Sequence, residues 1–350
     1  MKKKVIMMLL VSSMSVGAIF TGCSSKNTNI EGSYEGIAWN GQPKGVSLED
    51  SIEKLIAKID VDSKGVITNS EYDYLVKVNE EWVSRKDTSA TVNVDFSIDP
   101  KAAIINGEEV TNGSTMFDVK TNNMMSFYSV AVNKDNTVAV MIAEPTTRYR
   151  FEAKLTSDFN FESPLGEIKI GETWIPSLRE MPFGIVTVSE WSELNGKSLY
   201  DINTFTQVIY KRGDLEGIDN KATMKELLEA MGVLFVDGVP QQTEPKYGFH
   251  SLGGWKGNYE SLAKELVGKN INEVKSLVDY TPERYAKAIN KDNFFGVDVV
   301  SGSTKSIQNS IDTISGATVR MSRENEAYQR ALVQAGVLKE SDVIKGRFYN

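Results

Sequence analysis

The chain has 350 residues, with 47 acidic and 39 basic side chains that leave a net charge of −8. The two signs are mixed along the sequence, and no basic cluster interleaved with aromatics marks a nucleic-acid surface. One cysteine, Cys23, and one histidine, His250, exclude clustered thiolates, haem attachment through paired cysteines and an imidazole metal cluster, so redox work by this chain needs an organic cofactor.

At the N-terminus, Lys2, Lys3 and Lys4 precede an apolar run from Val5 to Phe20. A membrane-spanning helix needs about 20 apolar residues, so this shorter run reads as a signal peptide. It ends in Phe20-Thr21-Gly22-Cys23, which resembles a bacterial lipobox, although Phe20 stands where leucine is usual. The expectation is a signal over residues 1–22, a lipidated Cys23, and a short polar tether over residues 23–30. An uncut N-terminal anchor is the alternative. About 330 residues remain, enough for two ordinary domains.

Ser47 to Lys58 is rich in helix formers and predicts a helix. Thr91 to Ile98 alternates apolar and polar residues, as a half-buried strand does. Phe127–Val132 and Thr137–Ala143 predict two strands joined by a turn at Asn133-Lys134-Asp135-Asn136. Tyr149–Leu155 and Gly184–Val188 are further strand candidates. Helical patterns follow at Lys221–Met231, at Tyr259–Val267 ahead of Gly268, and at Pro282–Asn290 with proline in the first turn. Short strands are expected at Val233–Val236 and Gly296–Val300. The predicted class is α+β, with a β-rich region over residues 31–215 and a small α+β domain over residues 216–350.

The strongest motif is Asp312-Thr313-Ile314-Ser315-Gly316-Ala317-Thr318. Gly316 and Ala317 put little bulk beside the Thr318 hydroxyl, so a large group can approach the backbone. Asp312 and Ser315 are short polar side chains suited to holding a turn. Beyond the motif, Ala327, Tyr328, Ala331, Leu332 and Ala335 form the stripe of an amphipathic helix from Ser322 that stops at Gly336. Thr318 would therefore stand close to a helix N-terminus, where amides and the dipole favour a phosphodiester. Asp298-Val299-Val300-Ser301-Gly302-Ser303-Thr304 repeats the frame, with Ser303 in place of the alanine. The two threonines are only fourteen positions apart, too close for a full helix after Thr304, and Thr318 is the preferred position.

The run from Asp312 to Thr318 resembles the attachment site of the FMN-binding domain found in subunits of sodium-pumping NADH:quinone reductase, in the Rnf complex and in extracellular flavoproteins. The Ala331-Leu332 pair and, more faintly, Tyr34-Glu35-Gly36 followed by the Ile59–Ile67 hairpin are similar too. That resemblance implies FMN esterified through its phosphate to a threonine by a flavin transferase. If the stretches at Tyr34–Gly36 and Ile59–Ile67 belong to the same domain, a long insertion separates its two halves. A His-x-Glu-Thr segment usual in that family is absent here.

Three other stretches compete for a role. Asp60 to Glu71 fits an EF-hand loop at positions 1, 3, 6, 8 and 12, but Lys64 occupies a ligand position and the flanks alternate like strands. A β-hairpin with a Ser63-Lys64-Gly65 turn is the better account. Tyr247 to Gly257 is glycine-rich and aromatic, so Phe249 or Trp255 is a candidate to stack on an isoalloxazine ring. His250 is a candidate proton shuttle, though a surface or turn residue is the plainer expectation. No Walker-type loop or Gly-x-Ser-x-Gly elbow is present.

These residues together predict a lipid-anchored, extracytoplasmic electron carrier with FMN on Thr318 and no metal. Its partners would be a flavin transferase, a membrane-bound electron donor and an external acceptor. Two alternatives stay open: a solute- or partner-binding lipoprotein without flavin, and a flavin-dependent reductase of a small external acceptor.

Overall fold

The computed structural model describes residues 30–102, 104–106, 109–111, 113–123, 127–143, 149–178, 194–202, 209–210, 213–250, 254–277 and 322–346. Its first sheet is an antiparallel meander of β1 (Gly32–Trp39), β2 (Glu53–Val61), β3 (Ile67–Val78) and β4 (Glu81–Ser84). Leu55, Ala57, Ile59 and Val61 are buried at alternate positions of β2, which gives that strand a period of two. The helix expected over Ser47–Lys58 is therefore not formed. Its helix-forming composition yields to pairing on both sides, with β1 and β3.

The turn between β2 and β3 is a hairpin, as the alternation predicted. Asp62 accepts from the Lys64 and Val66 amides, each at 2.9 Å. Gly65 takes a left-handed φ of 83° that suits glycine. The carboxylate that an EF-hand would aim at a cation is spent on the turn itself.

Two helices from the far end of the sequence cover this sheet. They are α2 (Gly254–Leu266) and α3 (Ser322–Gln334). Their apolar faces, including Tyr259, Leu262, Leu266, Ala327, Tyr328, Ala331 and Leu332, join Leu55, Ile59, Tyr72 and Tyr74 in one core. The contact of α3 with β1 depends on Gly36. A Cβ there would lie 1.9 Å from the Ala327 carbonyl oxygen and 2.3 Å from the Ala331 amide nitrogen. The segment after α2 ties to the hairpin, with Ile67 N–H donating to Lys269 O and Gly268 N–H to Ile67 O, both at 2.8 Å.

The residues between these halves form a second, five-stranded antiparallel sheet. β9 (Phe127–Val132), β10 (Val138–Ala143), β11 (Tyr149–Leu155), β12 (Ile175–Leu178) and β15 (Thr243–Phe249) take the order β12-β11-β10-β9-β15. Small two-stranded ladders pair β5 (Ala90–Val94) with β8 (Phe117–Thr121), β6 (Ile104–Asn106) with β7 (Glu109–Thr111), and β13 (Phe235–Val236) with β14 (Val239–Pro240). β9 and β10 are buried at every position, so both faces of the sheet carry a core. Val138, Val140 and Ile142 face one cluster with Trp174, Met224 and Leu227, while Ala139, Met141 and Ala143 face another with Met116 and Phe117. Helix α1 (Met224–Ala230) starts at a capping box made by Thr223 and Glu226.

The protein is α+β and β-rich. Both larger cores run across the boundary expected at residues 215 and 216. One joins residues 38–74 to residues 259–332, and the other has members on both sides of that boundary, among them Tyr128, Leu215, Met224 and Val233. Among the described residues no helix is long and apolar enough to cross a membrane.

Candidate functional site

Cys23, Thr304, Asp312, Ser315, Gly316, Ala317 and Thr318 all lie outside the described residues, as do the elements expected at Gly184–Val188, Pro282–Asn290 and Gly296–Val300. The described residues define where the segment carrying the two threonines starts and ends. Asn325, in the first turn of α3, accepts from the Leu277 amide at 2.7 Å and from Ser276 Oγ at 2.8 Å. Tyr328 Oη donates to Val274 O at 2.7 Å, and Gln329 Nε2 to Lys275 O at 3.2 Å. Residue 277 is thereby docked on the same turn that begins at Ser322. Thr318 precedes Ser322 by four residues, so covalent reach alone keeps it within about 14 Å of the helix start.

The first turn of α3 is unusual in burying an ionic pair. Arg323 and Glu324 are 4% and 0% exposed. Arg323 Nη2 stands 3.5 Å from Glu324 Oε1, and the guanidinium lies 4.4 Å from the Tyr74 ring centre and 5.4 Å from that of Trp255. Trp255 stacks on Tyr259 at 5.5 Å, and Tyr259 on Tyr72 at 6.1 Å. Tyr259 Oη donates to Glu324 Oε1 at 3.1 Å. Glu324 Oε2 and Tyr72 Oη are buried without a hydrogen-bond partner among the described residues.

Burial pushes the Glu324 carboxyl above its ordinary range, with Arg323 and the Tyr259 hydroxyl pulling the other way. Burial also works against the Arg323 cation, but Glu324 and the Tyr74 and Tyr259 phenols outweigh it and the guanidinium stays charged. The phenols of Tyr72 and Tyr259 are raised by the same burial, and Glu324 raises both further. Glu326 is a different case. Burial raises it too, but its oxygens already receive the Gly346 amide at 2.6 Å and the Arg330 guanidinium at 3.1 Å.

The sequence candidates fall in different places. Trp255 comes to this cluster, whereas Phe249 belongs to the second sheet, where it meets Tyr247 at 5.1 Å. His250 is buried rather than at the surface, with Nε2 2.8 Å from Ala143 O at the end of β10. β10, whose end it meets, is buried at every position, which is why a residue in a glycine-rich stretch is enclosed. Among the described residues no group of three or more His, Cys, Asp or Glu side chains is placed to hold a metal. Arg323 and Glu324 went unread in the sequence, and Tyr72, Tyr74 and Tyr259 were read only as parts of a strand and a helix. The signal for two of them existed: the stripe through Ala327 and Tyr328, extended one turn back, falls on Arg323 and Glu324.

The Arg323 cation is taken up by the Glu324 carboxyl and the Tyr74 and Trp255 rings, and a carboxylate repels an anion rather than donating to it. The group that can receive an anionic ligand here is the set of backbone amides at the start of α3. Comparison with protein-family models, with curated proteins and with solved structures finds no match for this chain.

Proposed function

We propose that this chain is a lipid-anchored, extracytoplasmic flavoprotein that carries electrons through FMN esterified to Thr318. One observation carries the reading. The run Asp312-x-x-Ser315-Gly316-Ala317-Thr318 stands immediately ahead of a helix whose first turn buries a cation against aromatic rings. The contact of the Tyr34-Glu35-Gly36 strand with that same helix supports it, since that strand carries the fainter part of the resemblance.

Flavin, when bound, accepts and releases electrons. The roles left to the chain follow from the side chains present. The N-terminal amides of α3 favour the negative charge of a phosphodiester. Trp255 and Tyr74 supply flat π-faces near the helix start. Gly316 and Ala317 carry too little side chain to crowd a transferase at the neighbouring threonine. Lipid on Cys23 and flavin on Thr318 would keep a redox group at the membrane surface between a membrane-bound donor and an external acceptor. The test is covalent attachment after expression with a flavin transferase. Flavin fluorescence that stays with the denatured protein, and is lost in Thr318→Val, is the expected result. A colourless protein returns the reading to a solute- or partner-binding lipoprotein.

A further inference from the structure

We propose that a cavity at one corner of the second sheet binds a small hydrophilic amine, a compound carrying a primary ammonium on a short frame. The cavity holds about 470 Å³ and is open to solvent, within the size range of small-molecule sites. The fold creates it where two strands part. The ladder between β11 and β12 ends at Glu152 and Ile175, whereas the one between β11 and β10 runs on to Leu155. Ahead of Ile175 the chain is turned aside, with the Thr173 and Trp174 amides both donating to Lys169 O at 3.1 Å. Lys154 and Thr156 therefore face a gap, closed on its far side by the turn in which Phe159 N–H donates to Thr156 O at 3.0 Å. Both turns are anchored in the core, since Trp174 is fully enclosed and Phe159 packs edge-on against Phe161 at 5.3 Å. The cavity is thus formed before any ligand arrives.

The charges in the wall decide what it holds. Lys154 is the only cationic side chain there, and it donates to Asp99 Oδ1 at 2.7 Å and to Ile98 O at 3.4 Å, so its charge is balanced. Two carboxylates are not balanced. Glu172 is exposed and takes part in no hydrogen bond or ion pair among the described residues. Asp158 receives the Thr156 hydroxyl, which with its own amide holds its carboxyl below the ordinary range and keeps it ionised at neutral pH. An anion is repelled by this pair, and a neutral ligand leaves both carboxylates to water. An ammonium suits them, because it only donates and a carboxylate only accepts. The Phe159 ring adds a π-face that attracts a cation. Asn160 gives its Oδ1 to the Glu162 amide at 3.2 Å, which leaves its NH2 for a ligand oxygen. Pro100 and Ile175 offer apolar contact to a short carbon frame. A metal ion fits less well, since among the described residues no third acid joins the two carboxylates.

The experiment is a calorimetric titration of the full chain with putrescine, at low and at physiological ionic strength, beside the uncharged diol of the same length. Putrescine is expected to bind saturably at one site and more weakly as salt rises, and the diol not to bind. Glu172→Gln and Asp158→Asn keep the shape and remove one charge each. Each is expected to weaken putrescine about fivefold, the upper range for a single exposed ion pair. Glu172 holds nothing in the fold, so its variant should melt with wild type and keeps the test valid even if Asp158→Asn loosens its turn. No saturation at millimolar putrescine overturns the proposal. So does a diol that binds as well as the diamine, or a Glu172→Gln protein that binds putrescine like wild type. The proposal does not rest on the flavin reading: the titration is expected to give the same result with and without attached flavin, and its failure leaves that reading standing.

Discussion

Tyr72 shows how much a single hydroxyl in this core decides. Its oxygen is buried without a partner among the described residues, so Tyr72→Phe removes a polar group that gains nothing from its site. The prediction is unchanged or slightly raised stability at neutral pH. The alkaline limb differs. Burial holds the Tyr72 and Tyr259 phenols above their ordinary value of 10.0 in the folded protein. Above that pH the unfolded chain loses protons that the folded one keeps, so stability is full below it and falls as pH rises. Denaturant titrations across that range should show a shallower fall in Tyr72→Phe than in wild type, and equal slopes would contradict this. The sequence could not reveal it, because Tyr72 lies in an alternating strand like any other and its burial is supplied by α2, almost 190 residues away.

At the scale of elements, the fold turns on the approach of α3 to β1. Ala327 and Ala331 on the helix and Gly36 on the strand are all small, and the helix backbone lies where a Gly36 side chain would begin. Gly36→Ala places a methyl against backbone that has no rotamer to yield, so a loss of about 1–3 kcal/mol or more is expected. Thermal melts check it, and an unchanged Tm would show that the helix is free to shift. The stripe of α3 was legible from its helical period, β11 from its alternation, and β9 and β10 from short unbroken apolar runs joined by a turn, the pattern of strands covered on both faces. Glu53–Val61 was not. Its glutamate, lysines, leucine and alanine favour a helix locally, and only the two partner strands expose the period of two. The first turn of α3 was half-legible: the stripe reached Arg323 and Glu324, but charged residues on an apolar face are ordinarily read as its edge.

At the scale of the molecule, a long middle region with its own two-faced sheet separates two halves of one core. Residues 216–350 alone lack the apolar face of β2 and β3 that Tyr259, Leu262, Tyr328 and Leu332 cover. That fragment should show no cooperative unfolding transition, and a cooperative melt of its own would contradict the shared core. The same architecture explains why the motif was easier to find than its setting. Asp312 to Thr318 is contiguous in sequence, whereas Tyr74, Trp255 and Arg323 converge only through the fold. The central claim is that Thr318 carries the flavin. The measurement that tests it most directly is the intact mass of signal-free protein co-expressed with a flavin transferase, wild type beside Thr318→Val and Thr304→Val. The account predicts the added mass of one FMN residue in wild type and Thr304→Val, and its loss in Thr318→Val. No added mass in any sample, with the transferase active on a control substrate, would contradict the account, and loss in Thr304→Val alone would move the site.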